Sequence, residues 1–191
     1  IELNTEATVK NNEKFIDVDG EKFDYCIDCT WGHLVPDQKF FFESTILLYY
    51  KKKNMKIPLQ AFTFVDGPLC SLYPTEDDSI FTLSSVLHTP IGQHETSKEA
   101  LKEIAQLTTH DIQLKRLLME KQFMHYYPSF LNDYEYIEPQ LCIKTKPFGH
   151  DDDRSCYVKK HGRMIKVLSG KIDNIFYASS EVISLINSVS E

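Results

Sequence analysis

The chain has 191 residues, of which 42% are hydrophobic and 26% charged, so it can bury a core and is not intrinsically disordered. Its formal net charge is −7, from 21 basic and 28 acidic residues, which argues against a sequence-independent nucleic-acid binder. It has no apolar stretch near the ~20 residues of a membrane span and no signal-peptide pattern. Five cysteines, an odd number, indicate a reducing compartment. We therefore expect a cytoplasmic protein with no nucleic-acid or membrane partner.

The first part of the chain predicts β structure. Asp19-Gly20 separates two β-forming runs, residues 14–18 and 21–28, and this dipeptide is the strongest short hairpin signal. In the second run the apolar residues that alternate with polar ones are Phe23, Tyr25 and Ile27. This alternation predicts one buried face.

The centre of the chain predicts an antiparallel sheet followed by two helices. Four apolar segments joined by short polar turns predict successive strands over residues 40–50, 59–65, 69–73 and 80–87. Thr96 and Glu99 form a capping box at the start of the first helix. The second helix is expected over residues 109–127, and residues 134–143 predict a returning strand. The apolar residues expected on or near one face of the second helix are Ile112, Leu114, Leu117, Leu118 and Met124.

The end of the chain predicts a strand–turn–helix unit. An apolar strand over residues 164–168 is broken by Ser169-Gly170-Lys171, and a helix capped by Ser179 or Ser180 follows. A glycine turn, a lysine and a helix N-terminus together favour an anion or an electron-rich ring edge. Such units are nevertheless common in proteins of every function. The β-rich ends flank a sheet-and-helix centre, a pattern typical of an inserted domain.

Motifs for metal, redox or nucleotide chemistry are weak or absent. Cys26-x-x-Cys29 has one thiol in a predicted strand and no second ligand pair, so a structural role is favoured. No two of the seven histidines fall at i, i+4, and His150 beside three aspartates suits a solvated loop better than a cation. We expect no metal site. The sequence contains no G-x-S-x-G elbow, P-loop or G-x-G fingerprint.

Aromatic residues are concentrated in the central strands, and most are expected to pack in the core. Because successive strand residues face opposite ways, some must lie on the far side of the sheet, where they can line a pocket. Tyr49, Tyr50 and Tyr73 carry hydroxyls at strand ends and are our candidates for substrate binding.

Two segments resemble one family. Residues 18–32, VDGEKFDYCIDCTWG, resemble the hairpin and closing strand of the FAD-binding domain in flavin oxidoreductases of the D-amino-acid-oxidase and glycine-oxidase type. Residues 167–172, VLSGKI, with the helix after them, resemble that family's C-terminal return to the flavin. The residues that the resemblance implies as cofactor-binding are Thr30, Gly32, Gly170 and Lys171. It implies Arg154 as the carboxylate binder, with Arg163 as a second choice.

The resemblance also implies a domain organisation. The family's G-x-G-x-x-G unit is missing, and the chain opens at Ile1 within a predicted strand, so we expect a fragment. Residues 1–34 would be a remnant of the FAD-binding domain, 35–143 the substrate-binding (cap) domain, and 144–191 the return to the FAD-binding domain. The expected fold class is α+β: an antiparallel or mixed sheet with two helices, inserted between termini that form part of an FAD-binding α/β domain.

The implied activity is hydride transfer to FAD from an amine, amino acid or related small metabolite. This chain alone is expected to be inactive and to bind FAD weakly or not at all. An apolar surface around Ile16, Tyr25, Val167 and Ile175 should be exposed where the missing domain packs, and a dimer could form through it. The rival interpretation is a non-catalytic α+β binding or interaction module with an aromatic pocket, whose terminal sheets would be closed and well paired.

Overall fold

The computed structural model describes residues 5–34, 40–148, 155–169 and 171–188, and the chain divides into two compact units. The first unit comprises Ile1–Phe40 and Thr145–Glu191, and the second comprises Phe41–Lys144. The fold class is α+β, which confirms the prediction. Within the described residues, no helix combines the length and the hydropathy that a membrane crossing requires.

The described residues form strands along most of the chain and helices in its second half. In chain order the strands are β1 (Val9–Asn11), β2 (Ile16–Val18), β3 (Glu21–Phe23), β4 (Cys26–Asp28), β5 (Phe40–Lys52), β6 (Phe62–Phe64), β7 (Cys70–Pro74), β8 (Ile80–Ser85), β9 (Pro90–His94), β10 (Tyr134–Pro147), β11 (Tyr157–His161) and β12 (Met164–Leu168). The helices are α1 (Ser97–Gln106), α2 (Thr109–Tyr126), α3 (Phe130–Asp133) and α4 (Ile175–Asn187), with a 3-10 turn at Ile172–Asn174.

The predicted hairpin is present in the first unit. Strands β1, β2 and β3 form an antiparallel sheet, and Val18 pairs with Glu21 across the turn. Asp19 and Gly20 both have positive φ, 52° and 93°, as a two-residue type I′ turn requires. The hairpin prediction is therefore confirmed.

The chain changes sheets after β3. Strand β4 pairs in parallel with β12, placing Ile27 opposite Ile165, and the second sheet has the order β11-β12-β4. The prediction of one buried face from Phe23 to Ile27 is wrong, since these side chains are 45% and 47% exposed. The alternation fails because the two residues belong to different sheets.

Helix α4 begins earlier than the sequence predicts. It starts at Ile175, directly after the 3-10 turn, so Ser179 lies inside the helix. The Ser179 hydroxyl donates to the Ile175 carbonyl at 2.9 Å, as serines within helices often do. The prediction that Ser179 or Ser180 caps the helix is therefore wrong.

The apolar surface expected on the first unit is present only in part. Ile16 is fully buried, and Tyr25 and Val167 are half-buried, so the prediction is wrong for these three residues. Ile175 is 57% exposed, as expected. The other large exposed apolar side chains in this segment are Ile172, Phe176, Tyr177 and Ile183. The inner side of α4 buries Ala178 and Val182. The exposed surface therefore follows the 3-10 turn and the outer side of α4.

The second unit is a sheet with helices, as predicted, but the sheet has six strands in the described residues because β9 joins the five predicted ones. Its strand order is β10-β5-β8-β7-β6, with β9 also paired to β5, and the pairs of β5 with β8, β7 with β8 and β6 with β7 are antiparallel. Ile46, Leu48 and Tyr50 of β5 lie in the core with Met119 and Phe123 of α2. Because strand residues alternate, Leu47 and Tyr49 point to the opposite face.

Capping boxes start both central helices. Thr96 and Glu99 cap α1 as predicted, and Thr108 and Asp111 cap α2 in the same way. The apolar stripe predicted on α2 is misplaced, since Leu117 is 63% exposed. The buried side chains of this helix are Met119, Glu120 and Phe123. A leucine-rich pattern indicated a helix but not which side of it packs.

Candidate functional site

A cleft lies in the first unit where β4 and β12 end. The residues that line it are Asp28, Gly32, Phe40, Tyr157, Lys159, Lys166, Val167 and Leu168. Gly32, which the sequence predicted to bind the cofactor, lines this cleft together with Val167 and Leu168 at the end of β12. The predicted Gly170-Lys171 turn follows β12 in the chain. Ligands of α/β sheets bind beyond the carboxyl ends of parallel strands, and β4 and β12 are parallel.

Strand register places three charged residues in one row along the cleft. Lys159 pairs with Lys166, and Lys166 pairs with Asp28. Residues directly opposite each other on neighbouring strands share one face of the sheet. Beside this row, the Phe40 ring meets the Tyr157 ring edge-on at 5.6 Å. The cleft therefore combines a charged row with an aromatic wall.

Asp28 is the buried charge in this row, with 4% of its surface exposed. Its Oδ1 accepts hydrogen bonds from the Thr30 backbone N–H at 2.9 Å and the Thr30 hydroxyl at 2.6 Å. Its Oδ2 is also buried, and no group in the described part of the chain donates to it. Sequence reasoning missed Asp28, although the pattern of an acidic residue ending a strand just before Thr-x-Gly could have drawn attention to it.

The turn after β4 holds Thr30 and Gly32, the two predicted cofactor-binding residues of this segment. Trp31 and Gly32 have positive φ values of 57° and 80°, so the backbone turns sharply beside Asp28. The Thr30 hydroxyl accepts from the Leu34 N–H at 3.0 Å, and the Trp31 carbonyl accepts from the Thr145 hydroxyl at 2.6 Å. These bonds hold the turn in place.

The predicted residues of the C-terminal turn are only partly described. Lys171 is exposed with extended backbone (φ −144°) just before the 3-10 turn. It does not line the cleft among the residues described. Gly170 and Arg154 lie outside the described residues, as do His150 and the three aspartates after it. Arg163 donates to the Glu13 and Asp24 backbone carbonyls at 3.2 and 3.1 Å. These hydrogen bonds connect the turn between β11 and β12 to the N-terminal strands.

The three tyrosines proposed for substrate binding lie in the second unit on two different faces. Tyr49 pairs with Thr82, and Thr82 pairs with Tyr73, so these residues form a row on the face away from the helices. Tyr73 is 46% exposed, and its hydroxyl lies 2.5 Å from that of Thr63. A ligand that binds this face of the sheet would therefore meet the rings and hydroxyls of this row.

Tyr50 faces the other way, into the core. It is fully buried, and its hydroxyl donates to Glu120 Oε1 at 2.7 Å. Burial and the bond to Glu120 raise the pKa of Tyr50 far above its usual value. Arg116 donates to the same oxygen at 2.7 Å. In this geometry Tyr50 supports the core, and its role in substrate binding stays a prediction.

Neither thiols nor carboxylates assemble a metal site in the part of the chain that the structure describes. No group of three or more histidine, cysteine, aspartate or glutamate residues there could hold an ion. Cys26 and Cys29 are free. Burial and then the charge of Asp28 raise the pKa of both thiols, so they are protonated at neutral pH.

The structure shows an α+β protein with a cleft at the ends of β4 and β12, and comparison with known proteins makes the class more specific. The chain is 48% identical over 185 residues to the FAD-dependent monooxygenase FPY4 of Fusarium mangiferae; the match covers 96% of this chain and 49% of that protein. The chain thus spans about half the length of the curated relative it matches. No protein-family model matches the chain.

Two solved structures share the fold. The FAD-dependent oxidoreductase PA4991 from Pseudomonas aeruginosa matches with a TM-score of 0.59 and 10% identity, over 96% of this chain and 52% of that one. A thermally stable mutant of fructosyl peptide oxidase matches with a TM-score of 0.53 and 12% identity, over 82% and 40%. The chain is therefore related to FAD-dependent oxidoreductases, which confirms the resemblance seen in the sequence.

Proposed function

We propose that the chain is the substrate-binding and C-terminal portion of an FAD-dependent oxidoreductase of the D-amino-acid-oxidase type. The first unit would form one wall of the FAD site, and the second would be the substrate domain. The observation that carries this proposal is the cleft of Asp28 and Gly32 at the carboxyl ends of β4 and β12. It occurs in a chain 48% identical to an FAD-dependent monooxygenase.

The cleft residues suit part of FAD. The buried Oδ2 of Asp28 is a hydrogen-bond acceptor with no donor among the described residues. Flavin and its ribityl chain carry N–H and O–H groups that could donate to it. The rings of Phe40 and Tyr157 offer an apolar wall for a flat ring, and Gly32 at φ +80° allows close approach of the backbone. Thr30 and Gly32 are therefore our cofactor-facing residues, with Gly170 and Lys171 on the turn after β12.

Bound FAD would supply the hydride acceptor for oxidation of an amine, amino acid or related small metabolite. The chain's own residues would bind and orient. Tyr49 and Tyr73 offer rings and hydroxyls on the open face of the sheet, and Arg154 would bind a substrate carboxylate. Lys171 and the start of the helical segment after it place positive potential at the turn.

The chain alone would supply only one wall of this site. Strand β4 lies at the edge of its sheet in the described residues, with Ile27 47% exposed, and α4 exposes Phe176 at 82%. Such surfaces suit a portion of a larger assembly better than a closed interaction module. We therefore expect the chain alone to be inactive and to bind FAD weakly or not at all.

The test is to co-express the chain with the part of FPY4 that it does not match, and to measure flavin absorbance in each purified preparation. We expect stoichiometric FAD only in the assembly, and anaerobic bleaching of that flavin by an amine or amino acid. An assembly without flavin would refute the flavoprotein assignment, and stoichiometric flavin in the chain alone would refute the one-wall interpretation. Flavin that no amine or amino acid bleaches would refute the substrate class.

A matched pair of glycines makes the site itself testable. Gly32 and Gly162 both have positive φ, 80° and 60°, so alanine strains the backbone at either position. Only Gly32 lines the cleft in the described residues. We expect Gly32→Ala to lower the FAD content of the assembly and Gly162→Ala to leave it unchanged. Equal FAD content in the two variants would remove Gly32 from the cofactor site.

A further inference from the structure

We propose that Asp28 is a cofactor-contacting residue whose Oδ2 accepts a hydrogen bond from an N–H or O–H group of the flavin–ribityl part of FAD. This inference rests on the proposed function and makes it more specific. It starts from the two oxygens of one carboxylate, which have different surroundings. Both belong to a side chain that is only 4% exposed.

Only one of the two oxygens has a structural role. Oδ1 accepts from the Thr30 N–H and hydroxyl, which shapes the turn that leads to Gly32. An asparagine could hold the same turn through its single carbonyl oxygen, without burying a charge. Oδ2 is buried with no donor among the described residues, and burial of such an acceptor is costly. A second acceptor that the fold itself does not use points to a ligand.

The surroundings of Asp28 restrict the chemistry of that ligand. A phosphate carries negative charge and no donor at neutral pH, so it would oppose a carboxylate at hydrogen-bond distance. The charged residues that face Asp28 from the neighbouring strands are Lys166 of β12 and, one strand further, Lys159 of β11. The ligand group at Oδ2 must therefore be a neutral N–H or O–H donor. The nearby aromatic wall of Phe40 and Tyr157 suits a ring.

FAD carries charge and hydrogen-bond donors in different parts. Its pyrophosphate carries charge without donors, whereas its flavin ring, its ribityl chain and its adenosine carry N–H and O–H groups. Asp28 therefore suits a donor-bearing part of FAD. We assign the flavin–ribityl part to this location, and a titration with ADP tests the adenosine half instead. The Thr30 clamp keeps the carboxylate from rotating, since both Thr30 donors bind the other oxygen.

The test uses backbone amide NMR spectra of the isotope-labelled chain, which detect weak binding. The wild type, Asp28→Asn and Asp24→Asn are each titrated with riboflavin and, separately, with ADP. Asp24→Asn is the matched control, because it removes an exposed carboxylate from the same segment. The amides of Thr30, Gly32 and Leu168 report on the cleft, and thermal melting of the ligand-free proteins reports on stability.

We expect riboflavin to shift the cleft amides in the wild type and in Asp24→Asn. We expect Asp28→Asn to bind riboflavin about tenfold more weakly, as loss of a hydrogen bond to a charged group predicts, and to melt at the same temperature or higher. A lower melting temperature for Asp28→Asn would show a structural carboxylate and overturn the proposal.

The other outcomes also decide the question. Equal riboflavin affinity in Asp28→Asn would show that water satisfies Oδ2, and stronger shifts with ADP would place the ADP half of FAD there instead. Either result overturns the assignment, as does the absence of any riboflavin shift in the co-expressed assembly freed of its FAD. If the co-expressed assembly nevertheless retains FAD, only the role of Asp28 falls. An assembly without FAD refutes the proposed function itself.

Discussion

Replacing Tyr50 with phenylalanine tests a buried polar contact of the second unit. The change removes the hydroxyl that donates to Glu120 Oε1 at 2.7 Å. Tyr50 is fully buried and Glu120 is 6% exposed, so water has little access to replace the lost donor. A hydrogen bond to a charged group contributes about 1.5–3 kcal/mol. Because Arg116 still donates to the same oxygen, we expect the lower end, about 1.5 kcal/mol of unfolding free energy.

Urea denaturation measures this loss as a lower midpoint with an unchanged slope. Tyr49→Phe is the matched control, since Tyr49 is the neighbouring residue on the opposite face and only half-buried, and we expect it to cost less than about 0.5 kcal/mol. Equal stability of the two variants would refute the buried contact. A Tyr50→Phe variant that keeps its stability but loses substrate binding would instead make Tyr50 a pocket residue.

Three further changes test separate features of the chain. Burial raises the pKa of Glu103, but bonds from Ser44 and His94 outweigh it and lower the pKa below its usual 4.5. The ionised Glu103 side chain therefore stabilises the fold above pH 4.5, and this stabilisation is lost as the pH falls through the lowered pKa. Glu103→Gln should lower the free energy of unfolding by less than about 1 kcal/mol at neutral pH, because the side chain is 34% exposed. Urea midpoints of the wild type and the variant that still differ in strong acid would contradict this. Gly20→Ala, at φ +93°, should cost about 1 kcal/mol in thermal melting, and an unchanged melting temperature would refute the type I′ turn. Phe176, 82% exposed on α4, should mediate self-association of the isolated chain, so Phe176→Glu should give a monomer by light scattering; a monomeric wild type would exclude that interface.

Features that depend on neighbours in the chain were predictable. The Asp19-Gly20 turn and the capping box of Thr96 and Glu99 involve residues at most three positions apart, and both are present. The central strands also follow from their apolar runs, although β9 and the short helix α3 were missed. Strand β9 contains Pro90 and Gly92, which are unfavourable in strands, and its pairing with β5 outweighs that preference.

Features that depend on distant partners were not predictable in the same way. Ile27 is exposed because β4 leaves the hairpin and pairs with β12. Leu117 is exposed because the aromatic core receives Phe123 of the same helix, whose ring packs on those of Phe64 and Phe130 at 5.2 and 4.8 Å. The periodicity of a helix shows that it has an apolar side, but several sides of α2 carry leucine or methionine. Packing decides among them.

The sequence by itself determined the α+β class, the hairpin, the capped helices and the relationship to FAD-dependent oxidoreductases, because these follow from local patterns and from motifs of adjacent residues. Only the tertiary structure brought Asp28, Lys159 and Lys166 from opposite ends of the chain into one row. It also left one Asp28 oxygen buried without a donor in the described residues. The physical reason is that the register between distant strands decides which side chains meet, and no local pattern records that register.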